Sequence, residues 1–200
     1  MSNNDSSKKS FDIKDYQLIN SIYSIYNKKA KILSLHGNWF DKGIFHINPN
    51  KTESVNYDFE GFTGLEILEL KNVSLTNFFN LLMEKPNGIL TPNLKSLIIK
   101  DSEFNGTEII ALKKILKLTN NNIEEIHLIN AYIDGRESKT LFLTLSELKN
   151  LRVLNLSENR ISSVFSKSLV SGLSNYSNLK RLYLRNCSLT NEILKEILSV

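Results

Sequence analysis

Three histidines and one cysteine are the side chains of this 200-residue chain from which acid–base, nucleophilic or metal chemistry is most readily built. His36, His46 and His127 lie far apart, without a cysteine partner and without the short His/Cys spacings that a zinc ion needs. Cys187 has no nearby histidine to activate it as a nucleophile. A glycine-rich phosphate loop and a serine–histidine–acid elbow are both missing. The expectation is therefore no catalytic residue, no cofactor, no metal and no enzymatic activity. What remains is surface chemistry: carboxylates, cations and a tyrosine that return at regular intervals, which suits recognition of another macromolecule better than a reaction.

The interval is set by an eleven-residue phrase, leucine-x-x-leucine-x-leucine-x-x-asparagine/cysteine-x-leucine. It reads LEILELKNVSL from Leu65, LKSLIIKDSEF from Leu94, IEEIHLINAYI from Ile123, LRVLNLSENRI from Leu151 and LKRLYLRNCSL from Leu179, with successive starts 29, 29, 28 and 28 residues apart. A fixed step of this size signals a stacked array of identical units. A degenerate sixth copy, AKILSLHGNWF from Ala30, precedes the next by 35 residues, so an insertion over residues 41–64 separates them. The fourth and sixth residues of each phrase are two apart and point to one side of a strand. Leu68 and Leu70, Leu97 and Ile99, Ile126 and Leu128, Leu154 and Leu156, and Leu182 and Leu184 are thus the expected core. Truncating one of them, such as Leu154, to alanine should cost about 2–5 kcal/mol. Cys187 falls at the asparagine/cysteine place, where a small group packs in the turn after the strand, so its expected role is structural.

These phrases resemble the leucine-rich repeat superfamily from about residue 30 to residue 200. Their step, and the helical pattern between them, look most like the ribonuclease-inhibitor class, which includes the Ran GTPase-activating proteins. The resemblance implies an α/β solenoid, a horseshoe of about six repeats with a parallel sheet on its concave side and helices on its convex side. It also implies a non-enzymatic module that binds a protein partner through the concave face and adjoining loops. Two alternatives come with it: a regulator of a small GTPase, for which the array is short and lacks an acidic tail, and the recognition part of a ubiquitin ligase or a microbial effector.

The concave face can be written from the phrase. Glu66, Ile67, Glu69 and Lys71 point outward from one copy, Lys95, Ser96, Ile98 and Lys100 from the next, and Glu124, Glu125, His127 and Ile129 from the third. Arg152, Val153, Asn155 and Ser157 follow, then Lys180, Arg181, Tyr183 and Arg185. Of these, Glu66, Glu69, Lys71, Ile98, Lys100, Glu124, Glu125, His127, Arg152, Asn155, Arg181, Tyr183 and Arg185 are the candidate partner-binding residues. Mixed charge of this kind fits a protein of complementary charge.

Elements that must hold this face lie between the phrases. EIIALKKILKL from Glu108 puts Ile109, Leu112, Ile115, Leu116 and the nearby Leu118 mainly on one stripe with Lys113, Lys114 and Lys117 outside it, and helices are also expected around residues 76–83, 139–148 and 164–173. Residues 1–10 are polar and read as a disordered tail, neither signal peptide nor anchor. Residues 11–29 carry a broad apolar stripe and read as a helix capping the array. The chain is 41% hydrophobic and 23% charged, with no apolar run long enough for a membrane. Its net charge of +4 is dispersed, without a basic run or an aromatic platform, so neither nucleic acid nor membrane is an expected partner. A single cysteine and no leader point to the cytoplasm. The last segment, NEILKEILSV, lacks a separate polar cap, so self-association through the C-terminal edge is a further expectation.

Overall fold

The computed structural model describes residues 8–12, 32–36, 66–72, 93–104, 106–119, 122–133 and 135–199. Among the described residues, seven strands form one parallel sheet in chain order: β1 Lys8–Asp12, β2 Ile32–His36, β3 Ile67–Lys71, β4 Ser96–Lys100, β5 Glu125–Ile129, β6 Val153–Asn155 and β7 Arg181–Tyr183. Four helices are interleaved among the same residues: α1 Gly106–Leu118, α2 Gly135–Ser146, α3 Ser163–Leu173 and α4 Asn191–Leu198. The fold is α/β, and every step from β4 onward is strand, loop, helix, loop.

The register follows the phrase. Leu68, Leu97, Ile126, Leu154 and Leu182 are successive partners, and Leu70, Ile99 and Leu128 form the parallel row beside them. These side chains are buried up to β6, and they meet Leu112, Phe142, Leu145, Phe165 and Leu169 from the helices. One sheet face is therefore the core and the other is open. In β7 the same places, Leu182 and Leu184, are only half-buried. Between the helices, the Phe142 and Phe165 rings meet edge to face at 5.1 Å, an arrangement favoured by the aromatic quadrupole. Lys113 of α1 donates to Glu147, after α2, at 2.7 Å, and this bond holds the Glu147 carboxyl below its usual range.

Backbone bonds repeat with the side chains. The carbonyl of the second phrase residue accepts two N–H groups from the next copy. Glu66 takes those of Lys95 and Ser96, Lys95 those of Glu124 and Glu125, Glu124 those of Arg152 and Val153, and Arg152 those of Lys180 and Arg181, all at 2.8–3.0 Å. At the other strand end, the eighth residue leaves the sheet with a left-handed backbone in all five copies: Asn72, Asp101, Asn130, Glu158 and Asn186, with φ between 48° and 65°. Asparagine and aspartate tolerate that region, because their short polar side chains bond locally, and Asn130 Nδ2 donates to Asp101 Oδ1 at 2.8 Å.

One expectation needs correcting. Residues 8–10 were read as the end of a tail and residues 11–12 as the start of a capping helix, yet Lys8–Asp12 is a strand paired with β2 from Lys8↔Ile32 to Asp12↔His36. Its sequence, KKSFD, lacks the leucine phrase. An edge strand is held by the backbone groups of its neighbour, which demand no side-chain pattern. The rest of the expected capping helix, the insertion over 41–64 and the helix around 76–83 lie outside the described residues.

Candidate functional site

Alternation along the strands leaves three rows on the open face. The third phrase residues Ile67, Ser96, Glu125, Val153 and Arg181 stand in register, as do the fifth residues Glu69, Ile98, His127, Asn155 and Tyr183. Lys71, Lys100 and Ile129 continue as the seventh-residue row. The middle row is accessible throughout, from half-buried Glu69 to Tyr183, which is 44% exposed. Ser96, Val153 and Ser157 were expected to project outward and are instead buried. Ser96 and Val153 are short side chains set between longer neighbours in their row. The Ser96 hydroxyl has no partner among the described residues.

Charges on this face are largely matched across adjacent copies. Lys95 meets Glu66 at 3.2 Å, Lys100 meets Glu69 at 2.8 Å, Arg152 meets Glu124 at 3.6 Å and Lys71 meets Asp101 at 3.9 Å. Such exposed pairs contribute about 0–1 kcal/mol each, so their main effect is to orient side chains. A hydrogen-bonded chain crosses the centre of the face. Ser157 N–H donates to Asn155 Oδ1 at 3.0 Å, Asn155 Nδ2 lies 3.4 Å from His127 Nδ1, and His127 Nε2 lies 3.4 Å from Glu125 Oε2. The Nε2–H tautomer of His127 satisfies both of its contacts.

The last copy breaks this pattern. Among the described residues, Arg181 and Arg185 form no ion pair, and both are exposed on either side of Tyr183. The face thus runs from neutralised charges at β3–β6 to an unneutralised Arg–Tyr–Arg group at β7. Beneath it, Asn159 and Cys187 hold the ninth phrase place. Asn159 Nδ2 donates to the carbonyls of Leu128, Leu156 and Ser157 at 2.6, 2.8 and 3.2 Å, and Oδ1 accepts from Ala131 N–H at 2.9 Å. Cys187 Sγ reaches Leu156 O at 3.2 Å, and burial pushes its thiol pKa up, so it packs as a neutral group rather than a nucleophile.

A family model described as Leucine Rich Repeat matches residues 150–174 and 178–199, the copies that contain β6 and β7. These two copies are leucine-rich repeats. Comparison with curated proteins gives no match. Leucine-rich repeats generally mediate protein–protein interaction and are typically non-enzymatic. Among the described residues of these repeats, no three histidine, cysteine or acidic side chains gather in a way that could hold a metal ion, and no helix is long and apolar enough to cross a membrane.

The repeats also present a residue that the phrase alone did not single out. Tyr132, at the tenth place of its copy, is 63% exposed and has φ 45°. A bulky aromatic in the left-handed region is strained. At the same place in the adjacent repeats stand Glu103 and Arg160, both exposed. The sequence signal was an aromatic where the other copies carry serine, glutamate or arginine.

Proposed function

We propose that this is a non-enzymatic interaction module whose open sheet face, with the rim around Tyr132, binds a protein partner. One observation carries the reading: a register row of accessible side chains, Glu69, Ile98, His127, Asn155 and Tyr183, takes no part in the core and ends on an exposed tyrosine between two arginines that form no ion pair among the described residues. Tyrosine and arginine dominate protein-binding hot spots, because each offers a large contact area with a polar end. Ion pairing from β3 to β6 lowers, relative to isolated charges, the cost of desolvating that stretch under a close-fitting partner. Acidic groups on the partner would answer Arg181 and Arg185.

In this reading the sheet is the concave side of a horseshoe of about six phrase-bearing repeats. The 28–29 residue step, with a full helix between strands, supports the ribonuclease-inhibitor-like class. A single cysteine, buried in the core, supports a reducing cytoplasmic setting. The test is affinity capture from the native source with the wild-type chain and with a variant carrying Ile98→Ala, His127→Ala and Asn155→Ala. The captured partner should fall about tenfold or more in affinity for the variant, with its circular dichroism and melting curve retained. Equal affinity for both chains counts against this face.

A further inference from the structure

Side chains at the third phrase place shorten abruptly at one point of the open face. In the row Ile67, Ser96, Glu125, Val153 and Arg181, serine is the shortest, and it stands between Ile67 of β3 and Glu125 of β5. Ile98, two residues on in β4, shares its face. Ser96 is 5% exposed, and its hydroxyl is buried without a hydrogen-bond partner among the described residues. Buried polar groups are nearly always hydrogen-bonded. This one lies on the side of the sheet turned away from the core.

Beside it stands a carboxylate that the ion pairs of the face leave over. Lys71, Lys95, Lys100 and Arg152 meet Asp101, Glu66, Glu69 and Glu124. Glu125 meets none of these cations. Among the described residues the polar contact of its side chain is His127 Nε2 at 3.4 Å, and that side chain is 40% exposed. In the Nε2–H tautomer the imidazole is neutral and offsets no charge. So long a contact opposes movement only weakly, and the carboxylate is free to turn from His127 toward Ser96, its Cα partner on the adjacent strand.

We propose that Ser96 and Glu125 form a subsite for a lysine or arginine side chain of the protein partner. The cation donates to the Ser96 hydroxyl and the Glu125 carboxylate, and its alkyl stem lies along Ile67 and Ile98. Two acceptors, one of them charged, select a cationic donor over a neutral amide and exclude a carboxylate. Half-buried Ile67 and Ile98 suit the methylene stem that such a residue brings. This inference rests on the reading of the open face as the binding surface and adds the chemistry of one partner residue to it.

Nuclear magnetic resonance titration of the isotope-labelled full chain tests it with three probes: Nα-acetylarginine amide, Nα-acetyllysine amide and the neutral Nα-acetylcitrulline amide. A cationic probe should shift the backbone amides of Ser96, Ile98 and Glu125 to saturation, and the citrulline probe should not. Whichever of arginine and lysine binds more tightly identifies the partner's side chain. Glu125→Gln should weaken binding about fivefold or more. Ser96→Val, the residue of β6 at this place, should abolish it by filling the hollow. Ser96→Ala should bind the probe several-fold more weakly while its melting temperature holds or rises, because a hydroxyl without a partner adds nothing to the fold. Equal shifts from citrulline, no saturable shift at these amides, or undiminished binding to Glu125→Gln would each overturn the proposal. If the probes fail while the captured partner still depends on Ile98, His127 and Asn155, the cation subsite falls and the binding face stands.

Discussion

Replacing Asn159 by alanine separates the inner from the outer asparagines of one short segment. Asn159 is buried and its amide joins two adjacent copies, donating to Leu128 O at 2.6 Å and Leu156 O at 2.8 Å and accepting from Ala131 N–H at 2.9 Å. Alanine strands the Ala131 N–H, on a fully buried residue, and leaves the carbonyls short of a donor. A buried group left without its partner costs about 1–3 kcal/mol. With the N–H and one carbonyl counted, the loss should be about 2–5 kcal/mol. Asn155→Ala, four residues earlier on the open face, gives up the bond from Ser157 N–H and the longer contact with His127 Nδ1 from a half-buried side chain and should cost about 1 kcal/mol. Equilibrium urea unfolding of both variants, followed by circular dichroism, measures the difference. Amide exchange at Ala131 should accelerate only in the Asn159 variant. Asn159→Cys should recover part of the loss, because Cys187 already bonds Leu156 O from the equivalent place. Equal losses for Asn159→Ala and Asn155→Ala would refute the assignment of the two faces.

Other consequences are equally local. A methyl at Gly172 would sit 2.8 Å from Phe142 Cβ, so Gly172→Ala should destabilise by about 1–3 kcal/mol despite alanine's better helix propensity, read as a lowered melting temperature. Glu158 holds φ 65° without the asparagine or glycine that this backbone favours, and Glu158→Gly should raise stability by about 1 kcal/mol in the same assay. Burial raises the Cys187 thiol pKa. The stability contributed by the neutral thiol is then fully present below the unfolded-chain value and is lost as pH rises through the raised folded value. Iodoacetamide at mildly alkaline pH should leave the folded protein unmodified and label it fully in urea; labelling at equal rates would show that the site is open.

Legibility in the sequence followed the side chains that the sheet needs. Leu97, Ile99, Ile126, Leu128, Leu154 and Leu156 were readable because burial in a strand demands an apolar residue at every second place, and the helix of Ile109, Leu112 and Leu116 because one stripe faces the core. The eighth phrase place also carries a signal, since four of its five residues are asparagine or aspartate, the types that tolerate a left-handed backbone. β1 was not readable: KKSFD joins the sheet through its backbone, which carries no side-chain signature. The outward alternation of Glu69, Ile98, His127, Asn155 and Tyr183 was readable from the phrase, and the five stand in one register row. Spacing alone could not show that Ser96 and Val153 sink between longer neighbours, nor that Lys95, Lys100 and Arg152 find acidic partners while Arg181 and Arg185 find none among the described residues.

The central claim, that recognition belongs to the open sheet face while the opposite face holds the fold, is tested most directly with the captured partner. Its dissociation constant should be measured against two sets of alanine variants: Glu69, Ile98, His127 and Asn155 on the sheet, and the exposed helix residues Ile110, Leu143 and Val164. Affinity should fall for the first set, with the melting temperature lowered by no more than a few degrees, and should hold for the second. Loss confined to the helix set would contradict it.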